Sequence, residues 1–129
     1  MLDHVGFAVS DARRSGAFYA AALAPLGITL IMEVGPEQTE SSGTALGFGV
    51  EANPFFWIGD NERPGEGTHV AFRAVTRAEV NAFHAAALAA GGRDNGGPGL
   101  RPNYGPNYYA AFVHDPDGIN VEAVCHRDE

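Results

Sequence analysis

The chain repeats a pattern at one fixed offset, and this repeat constrains its fold more than any other feature. The stretches FYAAALAPLG (residues 18–27) and FHAAALAAGG (residues 83–92) share Phe, three Ala, Leu, Ala and a final Gly in the same order, and 83 − 18 = 65. His4 and His69 are separated by the same distance, since 69 − 4 = 65. Chance similarity between alanine-rich helices explains the first match but not the second, so the offset indicates a duplicated module.

Each histidine begins a stretch whose side chains alternate in size. The sequence continues as VGFAV (residues 5–9) after His4 and as VAFRAV (residues 70–75) after His69, with bulky residues at alternate positions. A period of two is typical of a β-strand with one buried face. We therefore predict that these bulky residues pack on a helix and that both histidines lie on the opposite face.

The alanine-rich stretches carry the signals of amphipathic helices. Ser10 or Asp11 can cap a first helix that runs to about Leu26, and Thr76 with Glu79 forms a capping box for a second helix. Apolar residues recur on one face of each helix, which predicts that this face is buried. These residues are Phe18, Ala22 and Leu23 in the first helix and Phe83, Ala87 and Leu88 in the second.

Short strand-like runs follow each helix. They are ITLIMEV, TALGFGVE and NPFFWIGD in the first half, and YYAAFVHD and INVEAVCH in the second, where a DPDG turn joins them. The glycine-rich segment from residue 91 to 105 is predicted to be a mobile loop that can cover a cavity. The sequence thus predicts one α+β domain over residues 1–129, built from two β-α-β-β-β modules at about residues 1–62 and 66–127.

Composition narrows the range of partners. The net charge is −8, and all eight basic side chains are arginines spread along the chain. The absence of a basic cluster argues against nucleic acid binding, and the absence of lysine excludes Schiff-base chemistry. No stretch approaches the roughly 20 apolar residues of a membrane span, and the N-terminal MLDHVGF does not resemble a secretory signal. We expect a cytoplasmic protein that does not bind membranes.

Three residues are candidates for a metal site. His4 and His69 lie on the predicted helix-free faces beside the small residues Gly6 and Ala71, and Glu122 lies inside the apolar strand INVEAV. A carboxylate is costly to bury without a cationic partner. Two imidazoles and one carboxylate form a facial-triad metal site with open positions. The alternative is that the histidines are hydrogen-bonded structural residues and that Glu122 faces solvent on an edge strand.

The paired modules, the histidines that open them and the stretch DPDGINVE (residues 115–122) resemble the vicinal oxygen chelate superfamily. This superfamily includes glyoxalase I, bleomycin-resistance proteins, fosfomycin-resistance thiol transferases and extradiol dioxygenases. The resemblance implies a curved mixed sheet around a cavity, with His4, His69 and Glu122 as ligands of one divalent ion (Fe, Mn, Ni, Zn or Mg). It also implies that the ion chelates vicinal oxygens of a small substrate and stabilises an enolate, an alkoxide or bound dioxygen.

One position departs from the pattern of glyoxalase I, which typically has a fourth ligand, a glutamate late in the first module. The residue 65 positions before Glu122 is Trp57, since 122 − 65 = 57. The three-ligand set is more similar to those of the dioxygenases and the fosfomycin transferases. Lyase, isomerase, dioxygenase and thiol transferase chemistry all remain open at this point.

Two arginines and two aromatic residues are candidates for contacts with a substrate. Arg73 shares the predicted face of His69, and Arg101 lies in the glycine-rich segment. A single arginine suits a substrate carboxylate better than a phosphonate, which requires a denser cationic pocket. Trp57 and Tyr104 are candidates for the pocket wall.

Proton-transfer groups are suggested by the resemblance alone. Ring-cleaving dioxygenases similar to this superfamily often use an additional histidine and tyrosine, and His114, Tyr108 and Tyr109 are available here by type. Because side chains alternate along a strand, only one of the two adjacent tyrosines can face the cavity.

Two alternatives concern the function and the assembly. A protein that resembles the bleomycin-resistance proteins would sequester a cationic drug without a metal, and the −8 charge together with Trp57 fits that function. A metal that only stabilises the fold is a third possibility. We also predict a homodimer, in which His4 shares a metal with His69 and Glu122 either of the other copy or of its own chain.

Overall fold

The computed structural model describes residues 1–37 and 43–129, which form two α-helices and nine β-strands. The first half of the chain contains β1 (Val5–Ala8), α1 (Ala12–Leu23), β2 (Thr29–Val34), β3 (Ala45–Val50) and β4 (Asn53–Gly59). The second half contains β5 (His69–Arg73), α2 (Arg77–Ala89), β6 (Arg93–Asp94), β7 (Gly99–Leu100), β8 (Tyr109–His114) and β9 (Asn120–Cys125). The first half has the predicted β-α-β-β-β order, and the second half has four strands after its helix where three were predicted, because the two short strands β6 and β7 precede β8 and β9.

Each half forms its own mixed sheet. The strand order is β1-β4-β3-β2 in the first sheet and β5-β9-β8-β6 in the second, with β7 also paired to β8. The first strand of each half runs parallel to the last, and the remaining pairs are antiparallel. The α+β class is confirmed. In the part of the chain that the structure describes, the strands form two separate open sheets, and neither sheet closes into a barrel.

The offset of 65 residues is preserved in the pairing of the strands. The pairs at the centre of each sheet are Gly6–Trp57 and Gly47–Trp57 in the first, and Ala71–Glu122 and Phe112–Glu122 in the second. Every partner is displaced by 65, since 71 − 6, 112 − 47 and 122 − 57 all give this value. Trp57 and Glu122 therefore occupy equivalent positions in the two sheets.

Both helices begin at the predicted caps. The Asp11 side chain accepts a hydrogen bond from the amide of Arg14 at 3.1 Å, and the Thr76 hydroxyl accepts one from the amide of Glu79 at 3.2 Å. A 3₁₀ turn (Ala24–Leu26) extends the first helix to Gly27, whose φ of 76° suits glycine. Neither helix in the described ranges is long and apolar enough to cross a membrane.

The two halves share one hydrophobic core. Buried residues from both halves form a single cluster, and the rings of Phe56 and Phe72 meet across the junction at 5.0 Å. The predicted buried face of α1 is confirmed, but Leu88 on α2 is 37% exposed. The prediction for Leu88 is wrong because α2 buries only a narrow stripe that ends at Ala87. Leu88 lies about 100° further round the helix.

A buried tyrosine links the first helix to the last turn. The hydroxyl of Tyr19 donates a hydrogen bond to Oδ2 of Asp115 at 2.7 Å, and both residues are buried. Oδ1 of Asp115 accepts the amides of Asp117 and Ile119 at 2.8 and 2.9 Å. This contact fixes the turn between β8 and β9, and thereby the start of the strand that carries Glu122.

The glycine-rich segment is more regular than predicted. It contains β6 and β7, and both strands pair antiparallel with β8. The prediction of a loop is wrong for these four residues, because a strand of two residues is too short to show alternation in the sequence.

Candidate metal centre

His69 is held by hydrogen bonds at both ring nitrogens. Its Nδ1 lies 2.9 Å from the carbonyl oxygen of Asn120, and its Nε2 lies 3.0 Å from Oε1 of Glu122. A carbonyl oxygen can only accept, so the hydrogen of a neutral His69 must reside on Nδ1. Nε2 then presents its lone pair to the space between His69 and Glu122. The imidazole remains accessible, since its side chain is 40% exposed.

Glu122 is the buried carboxylate of the site. The residue is only 2% exposed and lies on β9 between Ala71 of β5 and Phe112 of β8. Oε1 faces His69, and Oε2 accepts a hydrogen bond from the hydroxyl of Tyr108. Burial of this carboxylate is compatible with folding because both oxygens have polar partners.

The two adjacent tyrosines, Tyr108 and Tyr109, have different partners. Tyr108 faces Glu122, whereas Tyr109 lies on the opposite face of β8, towards α2. The hydroxyl of Tyr109 donates to Oδ1 of Asn81 at 2.7 Å, and the guanidinium of Arg77 lies 5.0 Å from its ring centre. Strand alternation separates the two side chains, so Tyr109 is not part of the group around Glu122.

Tyr108 is a hydrogen-bond donor at neutral pH. Burial raises its pKa to about 12, and the hydrogen bond to Glu122 and the charge of that carboxylate add to the effect. The phenol therefore keeps its proton. A protonated phenol can donate to a carboxylate but cannot accept a proton from a substrate.

His4 lies outside this group. Its Nδ1 is 2.8 Å from Oδ1 of Asp3, and its side chain is 60% exposed. Among residues 1–37 and 43–129, no three His, Cys, Asp or Glu side chains come close enough together to hold one metal ion. The structure thus brings together two of the three predicted ligands, His69 and Glu122, and places His4 elsewhere on the same chain.

Trp57 occupies the position in the first sheet that Glu122 occupies in the second. Trp57 packs closely against two glycines, since a Cβ on Gly47 would be 2.8 Å from the indole ring and one on Gly6 would be 3.2 Å from the Trp57 Cβ. The ring borders a cavity of 230 Å³ that also contacts Asn61 and Glu62. The first sheet therefore carries an aromatic surface where the second carries a carboxylate.

Arg101 and Phe112 flank the second-sheet group. The guanidinium of Arg101 lies 5.4 Å from the centre of the Phe112 ring, and that ring stacks near His69 with centroids 6.3 Å apart. Nη1 and Nη2 of Arg101 donate to the carbonyls of Gly99 and Gly97, each at 2.8 Å. Sequence reasoning missed Phe112. Because side chains alternate along a strand, Phe112 is expected to share a face with His114, and this was the signal that could have identified it.

The remaining predicted residues lie around this group at greater distance. Arg73 is exposed at the end of β5, beside a cavity of 300 Å³ that residues of both halves line. The ring of Tyr104 is exposed and contacts the Tyr108 ring at 5.3 Å. Nδ1 of His114 lies 3.1 Å from the carbonyl of Gly118, so its described contact is with the turn before β9.

Comparisons with known proteins agree with this architecture. A family model described as Glyoxalase/Bleomycin resistance protein/Dioxygenase superfamily matches residues 1–123. No curated protein matches the chain by sequence.

Solved structures share the fold. A glyoxalase/bleomycin resistance protein from Albidiferax ferrireducens T118 is 29% identical, with a TM-score of 0.74 over 96% of this chain and 97% of that chain. Glyoxalase I from Zea mays is 23% identical, with a TM-score of 0.68 over 99% of this chain and 45% of the maize chain. The maize likeness bears on the fold alone. Because the family match covers nearly the whole length, this chain belongs to the Glyoxalase/Bleomycin resistance protein/Dioxygenase superfamily.

Proposed function

We propose that this protein is a divalent-metal-dependent enzyme that acts on a small substrate with vicinal oxygen atoms. Its metal ligands are His69 and Glu122 together with His4 of a second copy of the chain. The observation that carries the proposal is the pair formed by Nε2 of His69 and Oε1 of Glu122, 3.0 Å apart. The proposal covers lyase, isomerase and dioxygenase reactions of such substrates.

The donor atoms of this pair fit a metal ion. Neutral imidazole and carboxylate are ligands that first-row divalent ions accept. Two such atoms bound at right angles at the usual 2.0–2.2 Å lie about 3 Å apart, which is the separation seen between Nε2 and Oε1. The Nδ1 hydrogen bond to the carbonyl of Asn120 keeps the hydrogen of a neutral His69 away from Nε2, as the hydrogen-bond partners of histidine ligands do in metal sites.

A proton competes with a metal ion for the position between Nε2 of His69 and Oε1 of Glu122. Because Nε2 and Oε1 both have lone pairs directed at each other, their contact requires one hydrogen between them. Metal binding at this position displaces that proton. We therefore expect the apparent metal affinity to fall as the pH is lowered, which a titration of metal binding between neutral and acidic pH measures.

In the proposed site the third ligand comes from a second copy of the chain. His4 stands at the repeat-equivalent position of His69, but its hydrogen bond is with Asp3 at the surface. An exposed contact of this kind contributes little and is easily exchanged for another partner. Symmetric dimers are the commonest assemblies of soluble proteins, and a two-fold axis would create two equal sites, each with His4 from one copy and His69 with Glu122 from the other.

The chain's own residues would bind and orient the substrate. A bound ion would supply Lewis-acid stabilisation of negative charge on the substrate oxygens. Arg101 over Phe112 and Arg73 at the end of β5 provide positive charge on two sides of Glu122, which suits a substrate carboxylate. Trp57 of the equivalent first-sheet surface would form an apolar wall.

A non-catalytic binding protein is the second candidate. Trp57 packs against Gly6 and Gly47 and lines the same cavity as Glu62, and the chain has a net charge of −8. This combination of an aromatic surface and negative charge suits a flat cationic ligand. Such a protein would bind its ligand equally well after removal of all metal.

Metal binding to purified variants tests the proposal. The protein is prepared without a metal affinity column and titrated with Mn²⁺, Fe²⁺, Ni²⁺ and Zn²⁺ by calorimetry, for wild type, Glu122→Gln and His84→Ala. His84, on the helix α2, is the matched control because it also pairs with a carboxylate. Its Nε2 lies 2.8 Å from Oδ1 of Asp94. We expect one ion per chain in wild type and His84→Ala and none in Glu122→Gln. An absence of binding in wild type would favour the binding protein.

A further inference from the structure

The two oxygens of Glu122 are held by different partners. Oε1 faces His69, and Oε2 accepts the hydroxyl hydrogen of Tyr108. Glu122 is 2% exposed, so solvent does not compete for either oxygen. With one partner on each side, the plane of the carboxylate is fixed, and Oε1 is the oxygen that remains beside Nε2 of His69.

Tyr108 is itself held firmly in place. Its backbone carbonyl accepts the amide of Arg101 at 2.7 Å, and its amide donates to the carbonyl of Gly105 at 3.3 Å. Its ring contacts the rings of Tyr104 and His126 edge to face, with both pairs of centroids 5.3 Å apart. The hydroxyl is therefore placed by contacts on the backbone and on two edges of the ring.

Arg101 fastens the segment that precedes Tyr108. Its guanidinium donates to the carbonyls of Gly97 and Gly99 and lies over the Phe112 ring. Gly96 permits this packing, since its φ is 140° and a Cβ there would lie 3.1 Å from Nη2 of Arg101. One side chain thus ties residues 97–101 to β8, the strand that begins directly after Tyr108.

We propose that Tyr108 is a positioning residue for the metal ligand Glu122, and that the segment fastened by Arg101 holds Tyr108 in that role. This inference rests on the proposed metal-binding function. The Tyr108 hydroxyl donates its hydrogen to Oε2 of Glu122. Glu122 therefore binds the metal through Oε1 alone, in the orientation that places Oε1 beside Nε2 of His69. Because its hydrogen is donated to Glu122, Tyr108 acts through the ligand and not on the substrate.

A pair of adjacent substitutions tests the role of the Tyr108 hydroxyl. Tyr108→Phe removes the bond to Glu122, and the matched control Tyr109→Phe removes the bond of the adjacent tyrosine to Asn81 of α2. We expect Tyr108→Phe to bind Mn²⁺ and Co²⁺ about 10–100-fold more weakly, the usual effect of removing a hydrogen-bond partner of a metal ligand. Tyr109→Phe should keep wild-type affinity even where it lowers the melting temperature.

The absorption spectrum of bound Co²⁺ separates positioning from a general loss of stability. We expect the ligand-field bands of Co²⁺ to change in Tyr108→Phe and to stay unchanged in Tyr109→Phe. Wild-type affinity and spectrum in Tyr108→Phe, together with loss of binding in Glu122→Gln, would overturn this inference and leave the proposed function intact. Absence of metal binding in wild type would overturn both.

A second variant tests the fastening of the segment and does not alter Glu122 or its partners. Arg101→Ala removes the bonds to Gly97 and Gly99 and the contact with Phe112. We expect Mn²⁺ affinity to fall, but by less than in Tyr108→Phe, because the Tyr108 hydroxyl is still present and only less constrained. Unchanged affinity in Arg101→Ala would show that the segment holds Tyr108 without this side chain.

Discussion

In the first half of the chain a tryptophan occupies the backbone position that a glutamate occupies in the second half. Trp57 lies between two glycines on the neighbouring strands, and Glu122 lies between Ala71 and Phe112 at the same register. The sheets pair in the same way, yet one presents an aromatic surface and the other a buried carboxylate with polar partners. The comparison shows that two sheets can share the same pairing between strands while the side chain at one equivalent position has completely different chemistry.

The two histidines differ in the same sense. His69 is held at both ring nitrogens, by Asn120 and Glu122, whereas His4 contacts the exposed Asp3. A ligand that is already oriented loses less freedom when it binds, so it contributes more to affinity. The second half is therefore the organised part of the proposed site, and the first half supplies a less constrained histidine.

The largest expected effect separates these two histidines. His69→Ala removes an oriented ligand and leaves Glu122 buried without its imidazole partner. We therefore expect metal affinity to fall by more than roughly 100-fold, the upper limit for loss of a residue that only hydrogen-bonds to a ligand. His4→Ala should weaken binding by a smaller factor. Calorimetric titration with Mn²⁺ measures both. Equal losses would contradict the difference in organisation between the halves.

Substitution of Gly47 tests how tightly the first half is built around Trp57. A Cβ at this position would lie 2.8 Å from the indole, so Gly47→Ala must displace the ring. We expect the free energy of unfolding to fall by about 1–3 kcal/mol and the emission of the only tryptophan to shift. Urea unfolding followed by fluorescence measures both quantities. Gly97→Ala is the control, because a Cβ there meets no atom within 4 Å.

Trp57→Glu makes the two halves chemically alike. The new carboxylate would stand at the position equivalent to Glu122, with Gly6 and Gly47 leaving room on either side. If the two-fold assembly brings the equivalent positions to one centre, we expect tighter Mn²⁺ binding in Trp57→Glu than in Trp57→Gln. The same affinity in both variants would mean that this position does not face the metal.

The smallest expected effect concerns the contact between the halves. Tyr19→Phe removes the donor to the buried Asp115, and we expect a loss of about 1–2 kcal/mol in the free energy of unfolding. Equal free energies of unfolding for Tyr19→Phe and wild type at neutral pH would show that this hydrogen bond does not stabilise the contact between the halves.

The same tyrosine makes stability depend on alkaline pH. Burial and the neighbouring Asp115 raise the pKa of Tyr19 above its ordinary value of 10.0. The folded state therefore keeps a proton that the unfolded state releases, so this contribution is full below pH 10 and is lost as the pH rises further. The slope for one proton is about 1.4 kcal/mol per pH unit. Unfolding measured above pH 10 should show a smaller slope in Tyr19→Phe than in wild type.

The elements of the fold were predictable because their signals are local. Strand alternation after His4 and His69 and the caps at Asp11 and Thr76 each depend on residues close in sequence, and the offset of 65 is visible when the chain is aligned with itself. Leu88 was misjudged because the width of a buried helix face depends on what packs against it. That information is not in the helix itself.

The site was predictable only in part for the same reason. The resemblance to the superfamily implied that His69 and Glu122 lie together, but the choice of Tyr108 over Tyr109 required the positions of the two hydroxyls in the folded chain. The carbonyl of Asn120 that fixes His69 is a backbone group, and no residue type in the sequence identifies it. In the proposed site His4 comes from a second copy, and a pattern within one chain does not specify how two copies meet.

The most direct test of the split site uses dimers of two different variants. His4→Ala and His69→Ala chains are co-expressed with different tags, the mixed dimer is purified through both tags, and its metal content is measured after dialysis. In a site shared between copies, one of the two centres of the mixed dimer has every ligand, so we predict about half the wild-type metal content. A mixed dimer without metal, beside a wild type that binds one ion per chain, would contradict the account, because His4 and His69 would then have to act within one chain.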